Sequence, residues 1–369
     1  MEDGVRFAES AADRSASYRL RYEVYVEEMN RFADRADHER RELTDELDET
    51  ARALIAVSEG QPIATLRFHF GADAPFPPEI REAYCLDRFD DIVREDQMIV
   101  VERMMVPKDR RGAGRLTSQL YFELYRFVVD AGVELVFLDS EPHLINNWLK
   151  LGFRPFAPTC TYGGVGLVVP LVGVVWDREH MERVGSPLLM AIGQYQPDAA
   201  HEQVVAEVLK RLPEYSPVVS ERAAGAEDVL STVYRSLTET GEERPFIFDD
   251  MSEEEIATVL ERSHVITCRE RDVIIKRDNT AQTLFVLLSG VAEVHKDDRL
   301  VAVLTPGAVV GEVAFLLGCP RTADVIAATD DVRVLSLNDT SLRRQIRSDP
   351  KVASKLLLNL CRCLCARVL

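Results

Sequence analysis

The run Gly311-Glu-Val-Ala-Phe-Leu-Leu-Gly-Cys-Pro-Arg-Thr-Ala-Asp-Val325 constrains the fold more tightly than any other stretch of this sequence. It sets a carboxylate, Glu312, and a guanidinium, Arg321, nine residues apart, with a small-residue turn and a short apolar helix between them. A glycine followed by backbone amides at the start of a helix makes an anion site. A guanidinium offers phosphate oxygens a fork of charge-assisted hydrogen bonds, each worth roughly 1.5–3 kcal/mol. Glu312 can accept from a sugar hydroxyl. On either side the sequence alternates in the manner of strands, in Val291–His295 and Val332–Leu337, with Gly and Asp between the runs.

The run resembles the phosphate-binding cassette of cyclic-nucleotide-binding domains, usually Phe-Gly-Glu-Leu-Ala, a spacer, then Pro-Arg-Ser/Thr-Ala. Leu284–Gly290 is similar to a strand and turn of that family's β-roll, and Leu304–Gly307 to the turn leading into the cassette. The resemblance implies cyclic AMP or cyclic GMP as ligand, since Thr322 is compatible with either base. It implies contacts from Gly311, Glu312, Val313, Arg321, Thr322 and Ala323. Two positions depart from the pattern: Asp278 stands where the family usually has glycine, and Val310 replaces an aromatic. In transcription factors a helix-turn-helix often follows this domain. Here the sequence ends at Leu369, within the helix after the β-roll, so the switch is expected to act on something upstream.

With 369 residues, two domains and a bridging segment are expected. A net charge of −18 argues against a large nucleic-acid footprint, which needs a concentrated basic surface. No basic-plus-apolar leader and no 18-residue apolar run is present, so a cytoplasmic protein without a membrane span is expected. The seven cysteines then read as reduced thiols. Cys361, Cys363 and Cys365 lie on a helical pattern that separates Cys363 from the other two, which excludes convergence on one metal ion.

The first half carries different chemistry. Ser17–Tyr25 has Tyr18, Arg21, Tyr22 and Tyr25 at helical spacing, and an acidic run, Asp45–Glu49, follows. Arg52–Val57 and Ile63–Phe68 read as strands. A central strand, Met98–Val106, runs into Pro107-Lys-Asp-Arg-Arg-Gly-Ala-Gly-Arg115 and then a helix through Tyr121, Leu124 and Val128. Leu135–Leu138 is the next strand. A strand that ends in a glycine-bearing basic turn opening a helix suits a pyrophosphate, because amides and helix dipole both face the anion.

This turn resembles the coenzyme-A pyrophosphate loop of the Gcn5-related N-acetyltransferase (GNAT) superfamily, and Trp148–Phe153 a later motif of that superfamily. Arg111, Gly112 and Gly114 would hold the pyrophosphate, and the amide of Val106 the developing oxyanion. Leu116 replaces a small residue of the loop, and Trp148 stands where a tyrosine often protonates the leaving thiolate. An indole N–H is too weak an acid for that step. The spacing of Leu20–Tyr25, Asp45, Asp48, Thr65–Arg67 and Glu102-Arg103 is similar to N-acyl amino acid synthases and acyl-homoserine-lactone synthases. That resemblance implies Arg21, Asp45, Asp48, Arg67, Glu102 and Arg103 as the acceptor-site residues. Glu102 is the candidate base, Arg67 a holder of an acceptor carboxylate, and His69 and His143 read as ordinary polar residues.

The expected fold is α+β: a GNAT-like mixed sheet with flanking helices over 1–193, a helical connector over 194–245, and a β-roll with flanking helices over 246–369. The expected function is acyl transfer from acyl-CoA or an acyl carrier protein thioester to a small-molecule amine, under cyclic-nucleotide control. Protein lysine acetylation and a non-catalytic sensor are the alternatives. The apolar helix at 350–369 can pair with a copy of itself, so a homodimer is open.

Overall fold

The computed structural model describes residues 1–110, 114–159, 166–193, 195–212, 218–220, 246–261 and 263–366. It divides into two compact units. The first comprises residues 1–139, 150–154 and 170–214, and the second residues 140–149, 155–169 and 215–369. The sequence places 140–149 and 155–169 within the first domain; in the structure they pack with the second unit.

In the first unit β1 (Gly4–Phe7), β2 (Arg52–Ser58), β3 (Gln61–Phe70), β4 (Met98–Met105), β5 (Leu135–Ser140), β6 (Arg154–Pro155) and β7 (Val169–Val174) build one sheet in the order β1-β2-β3-β4-β5-β7-β6. β1 to β4 are antiparallel neighbours, whereas β4 and β5 run parallel, pairing Met98 to Val101 with Leu135 to Leu138. The paired half of β4 is fully apolar and buried, as a central strand covered on both faces must be. Glu102 and Arg103 follow where that parallel pairing ends.

The helix Ala11–Arg21 begins at Ser10, whose side chain accepts from the Asp13 amide. It continues into a wider turn, Tyr22–Glu28, closed by a bond from the Met29 amide to the Val24 carbonyl. The helix Gly114–Asp130 crosses the sheet after the basic turn. No helix among the described residues is long and apolar enough to cross a membrane.

The second unit holds two antiparallel sheets. One contains β10 (Val273–Ile275), β15 (Asp324–Ala327), β12 (Ala292–Lys296) and β13 (Arg299–Leu304), in that order. The other contains β14 (Val309–Val310), β11 (Thr283–Ser289), β16 (Val332–Asn338), β9 (His264–Cys268) and β8 (Val218–Ser220). Every residue of β11 is buried. Leu284, Val286 and Leu288 pack with Leu335, Leu337 and the helix residues Ile256, Leu260, Val352, Leu356 and Leu360. The helix Glu253–Leu260 opens with the expected capping box, Ser252 bonding the Glu255 amide and Glu255 returning to the Ser252 amide. In the helix Pro350–Ala366, Cys361 and Cys365 are exposed while Cys363 is half-buried. The apolar spacing assigned to a connector helix at Val229–Leu237 lies outside the described residues.

Candidate functional site

The six acceptor-site candidates of the first unit converge on one buried network. Arg21 is 1% exposed and donates to both oxygens of Asp48, at 2.6 and 2.8 Å. Arg67, also 1% exposed, donates to Asp45 at 2.5 Å, to Asp48 at 3.1 Å and to Glu102 at 2.7 Å. Arg103 donates to the second oxygen of Asp45 and lies over the rings of Tyr25 and Phe32. Asp45 and Asp48 are presented by a short turn, Glu46–Glu49, in which the Asp45 amide donates to Asp48. Three arginines thus face three carboxylates. A buried ion cluster survives only when its charges balance and its oxygens are hydrogen-bonded.

The strands explain the convergence. Arg67 and Glu102 are register partners across β3 and β4, and the register shifts just beyond them. Arg103 takes the irregularity with a φ of 50°, a left-handed conformation unusual for a residue with a Cβ. That local conformation breaks strict alternation, and both Glu102 and Arg103 join the network.

The network answers two expectations. The terminal nitrogens of Arg67, the expected holder of an acceptor carboxylate, pair in this structure with three carboxylates of the chain itself. Those charges outweigh burial and raise its affinity for its proton. Glu102 is held well below the usual carboxylate range; burial pushes it up, but the His69 and Arg67 contacts push it down further. Asp48 is lowered in the same way, with Arg21 and Arg67 overcoming its burial.

His69, set aside in the sequence, is the missed residue. Its Nε2 lies 3.1 Å from Glu102 Oε2, the oxygen that also accepts from Arg67. The signal was available: Arg67 and His69 are two apart on β3 and share a face. Glu102 Oε1 is buried and has no hydrogen-bond partner among the described residues. An orphaned buried oxygen costs about 1–3 kcal/mol until a donor reaches it. A cavity of about 790 Å³ adjoins the network, lined by Tyr18, Arg21, Asp45, Asp48, Arg52 and Arg67 among others.

On the donor side, Val106 directly follows β4, and the helix begins at Gly114. Arg111 and Gly112 lie outside the described residues. Trp148 is buried in the helix Ile145–Leu151.

The cassette of the second unit folds as its spacing requires. Gly311 caps the helix Glu312–Leu317 with a φ of 82°, and a Cβ there would stand 2.2 Å from Arg321 Nη1. Only glycine meets both demands. Arg321 donates to the carbonyls of Gly311 at 2.9 Å and Thr283 at 2.5 Å. Burial lowers its affinity for its proton, to about 10, against the opposing charges of Glu141 and Glu312. Glu312 is buried, Val313 and Ala323 are half-buried, and Thr322 is exposed. Asp278, at the position where glycine was expected, does adopt a left-handed φ of 65°; aspartate tolerates that region better than most residues.

Comparison with known proteins finds two family models that each match part of the chain. Residues 16–174 match the family model of the N-acyl amino acid synthase FeeM, and residues 265–349 that of the cyclic nucleotide-binding domain. Among curated proteins, a cAMP-dependent protein kinase regulatory subunit of Dictyostelium discoideum is 32% identical over 103 residues, 27% of this chain and 31% of that protein. The corresponding subunit of Yarrowia lipolytica is 28% identical over 115 residues, 31% of this chain and 29% of that protein. The chain thus spans about a third of the length of these curated relatives. A cyclic nucleotide-binding domain from Methylobacillus flagellatus aligns with TM-score 0.35 and 22% identity, over 42% of this chain and 85% of that one. A CoA-dependent acyl-homoserine lactone synthase, BjaI, aligns with TM-score 0.37 and 18% identity, over 52% of this chain and 91% of that one.

Proposed function

We propose that this chain, in which an N-acyl amino acid synthase domain precedes a cyclic nucleotide-binding domain, is a cyclic-nucleotide-regulated N-acyltransferase. It moves an acyl group from a thioester, acyl-CoA or acyl carrier protein, to the amine of an amino acid. The observation that carries the reading is Glu102: one oxygen fixed by Arg67 and His69, the other buried and unpartnered, on the strand that leads to the basic turn.

An amino acid is mostly protonated at neutral pH and must lose a proton before it attacks. Its ammonium donates to Glu102 Oε1, which orients the nitrogen toward the thioester carbon. A carboxylate held so far below its ordinary range is a weak base, so the proton passes on to water. The C–N bond forms as the carbonyl oxygen gains charge, which the Val106 amide meets. The C–S bond then breaks, and the nitrogen gives up its second proton, which the departing thiolate takes to leave as the thiol. With the terminal nitrogens of Arg67 paired, the acceptor carboxylate needs another cation, and Arg14, which lines the adjoining cavity, is the candidate; Arg52 on the same wall is already paired with Asp73. Arg111, Gly112 and Gly114 hold the donor pyrophosphate in this reading.

The test is free-thiol release from long-chain acyl thioesters with mixed amino acids. Glu102→Gln should slow it by on the order of 100-fold, because an amide cannot accept charge from the ammonium. Unchanged turnover in that variant removes Glu102 from the mechanism.

A further inference from the structure

The cavity at the cassette of the second unit is small. The cavity beside Arg321 has a volume of about 20 Å³, room for roughly one water, whereas small-molecule sites run to about 300 Å³ or more. Its walls come from two sources. Ile275, Asn279, Thr283 and Arg321 belong to the β-roll, while Glu141, Pro142 and Leu167 belong to stretches that the synthase family model covers. Both stretches pack as parts of this unit.

They are held there by specific bonds. The buried Thr159 hydroxyl donates to Asp272 at 2.5 Å, and Arg269 donates to the Thr159 carbonyl at 3.1 Å. The turn Pro142–Leu144 packs against β16. Gly166 comes so close to β10 that a Cβ would sit 3.4 Å from the Lys276 amide nitrogen.

Glu141 brings a negative charge to the guanidinium. It is the largest charge acting on Arg321 in favour of its proton, ahead of Glu312. Its side chain is 16% exposed, with Oε2 3.7 Å from His143 Nδ1. The guanidinium's own hydrogen bonds go to carbonyls, and the Thr283 hydroxyl that lines the same cavity is buried without a partner. A cationic group and a hydroxyl with no partner among the described residues therefore line one small cavity together with Glu141.

On the reading of this unit as a cyclic-nucleotide site, we infer that Ser140–Leu149 is an intramolecular plug, with Glu141 standing in for the nucleotide phosphate. A cyclic nucleotide enters only as this segment leaves. Ser140 is also the last residue of β5, the strand whose Leu138 pairs with Val101, the residue before Glu102. Expelling the plug thus acts on the end of a strand beside the proposed acyl-transfer residue, which gives the nucleotide a covalent route to that site.

The test compares binding of cyclic AMP and cyclic GMP to the full chain and to Glu141→Gln by calorimetry. Binding in a minor open state weakens apparent affinity by that state's population, so releasing a plug closed nine-tenths of the time tightens it about tenfold. Tighter binding by Glu141→Gln supports the plug. Equal or weaker binding by a folded variant overturns it and leaves the nucleotide reading intact. Binding by neither protein overturns both. Hydrogen exchange on the wild type gives an independent answer should the variant fail to fold. Saturating nucleotide should speed exchange across 142–149, and unchanged exchange there with nucleotide bound overturns the plug.

Discussion

Arg67 and Arg321 are nearly equally buried, 1% and 4% exposed, but their surroundings neutralise them in different ways. Arg67 has three carboxylates of its own unit within hydrogen-bond distance, and its hold on its proton rises. Arg321 has backbone carbonyls as partners and carboxylates only nearby, and its hold on its proton falls. An arginine that the chain has already paired is architecture that positions other groups. One that is desolvated and left without a bonded counter-ion is poised for an anion from outside. Arg67, the expected holder of a substrate carboxylate, is of the first kind in this structure.

Substitution of each arginine breaks or sharpens the contrast. Arg67→Ala should have the largest effect, because it leaves buried carboxylates uncompensated; about 3–5 kcal/mol of stability is expected to be lost. Denaturant or thermal unfolding followed in the first unit measures it. Arg321→Ala should cost less in stability, since carbonyls rather than charges lose their partner. It should instead weaken cyclic-nucleotide binding by roughly 10- to 100-fold, the worth of one charge-assisted hydrogen bond. Affinity within threefold of wild type, or a stability loss equal to that of Arg67→Ala, would make the two arginines alike and end the distinction.

Much of both units could be read in the sequence, for identifiable reasons. β2, β3, β4, β11 and β16 follow from apolar runs and alternation. The Gly311 to Arg321 spacing is a local feature, so the cassette could be recognised before any tertiary contact was known. Glu102 and Arg67 stood out as charges within apolar strands. What they do for each other could not be read, because it depends on the register of β3 against β4 and on one arginine at φ 50°. A non-glycine residue in that conformation leaves no mark in the sequence. His69 shares a face of β3 with Arg67, but that spacing does not name Glu102 as its partner, which depends on the same register.

The packing of 140–149 and 155–169 was equally hidden. Nothing in Ser140-Glu-Pro-His-Leu-Ile-Asn-Asn-Trp-Leu149 differs in composition from an ordinary strand-to-helix connection. The destination of the two stretches rests on contacts more than a hundred residues away in sequence, Pro142–Leu144 with β16 for the first and Thr159 with Asp272 for the second.

The central claim is that cyclic nucleotide controls an acyl transfer centred on Glu102. The most direct measurement is free-thiol release by the wild-type chain, from C2 to C16 acyl-CoA and an acyl carrier protein thioester, with mixed amino acids. It would be run with and without saturating cyclic AMP and cyclic GMP. The account predicts release with long-chain donors, at a rate that changes at least severalfold when nucleotide is added, as allosteric coupling of about 1–3 kcal/mol requires. Release at the same rate with and without nucleotide, or no release from any donor, would contradict it.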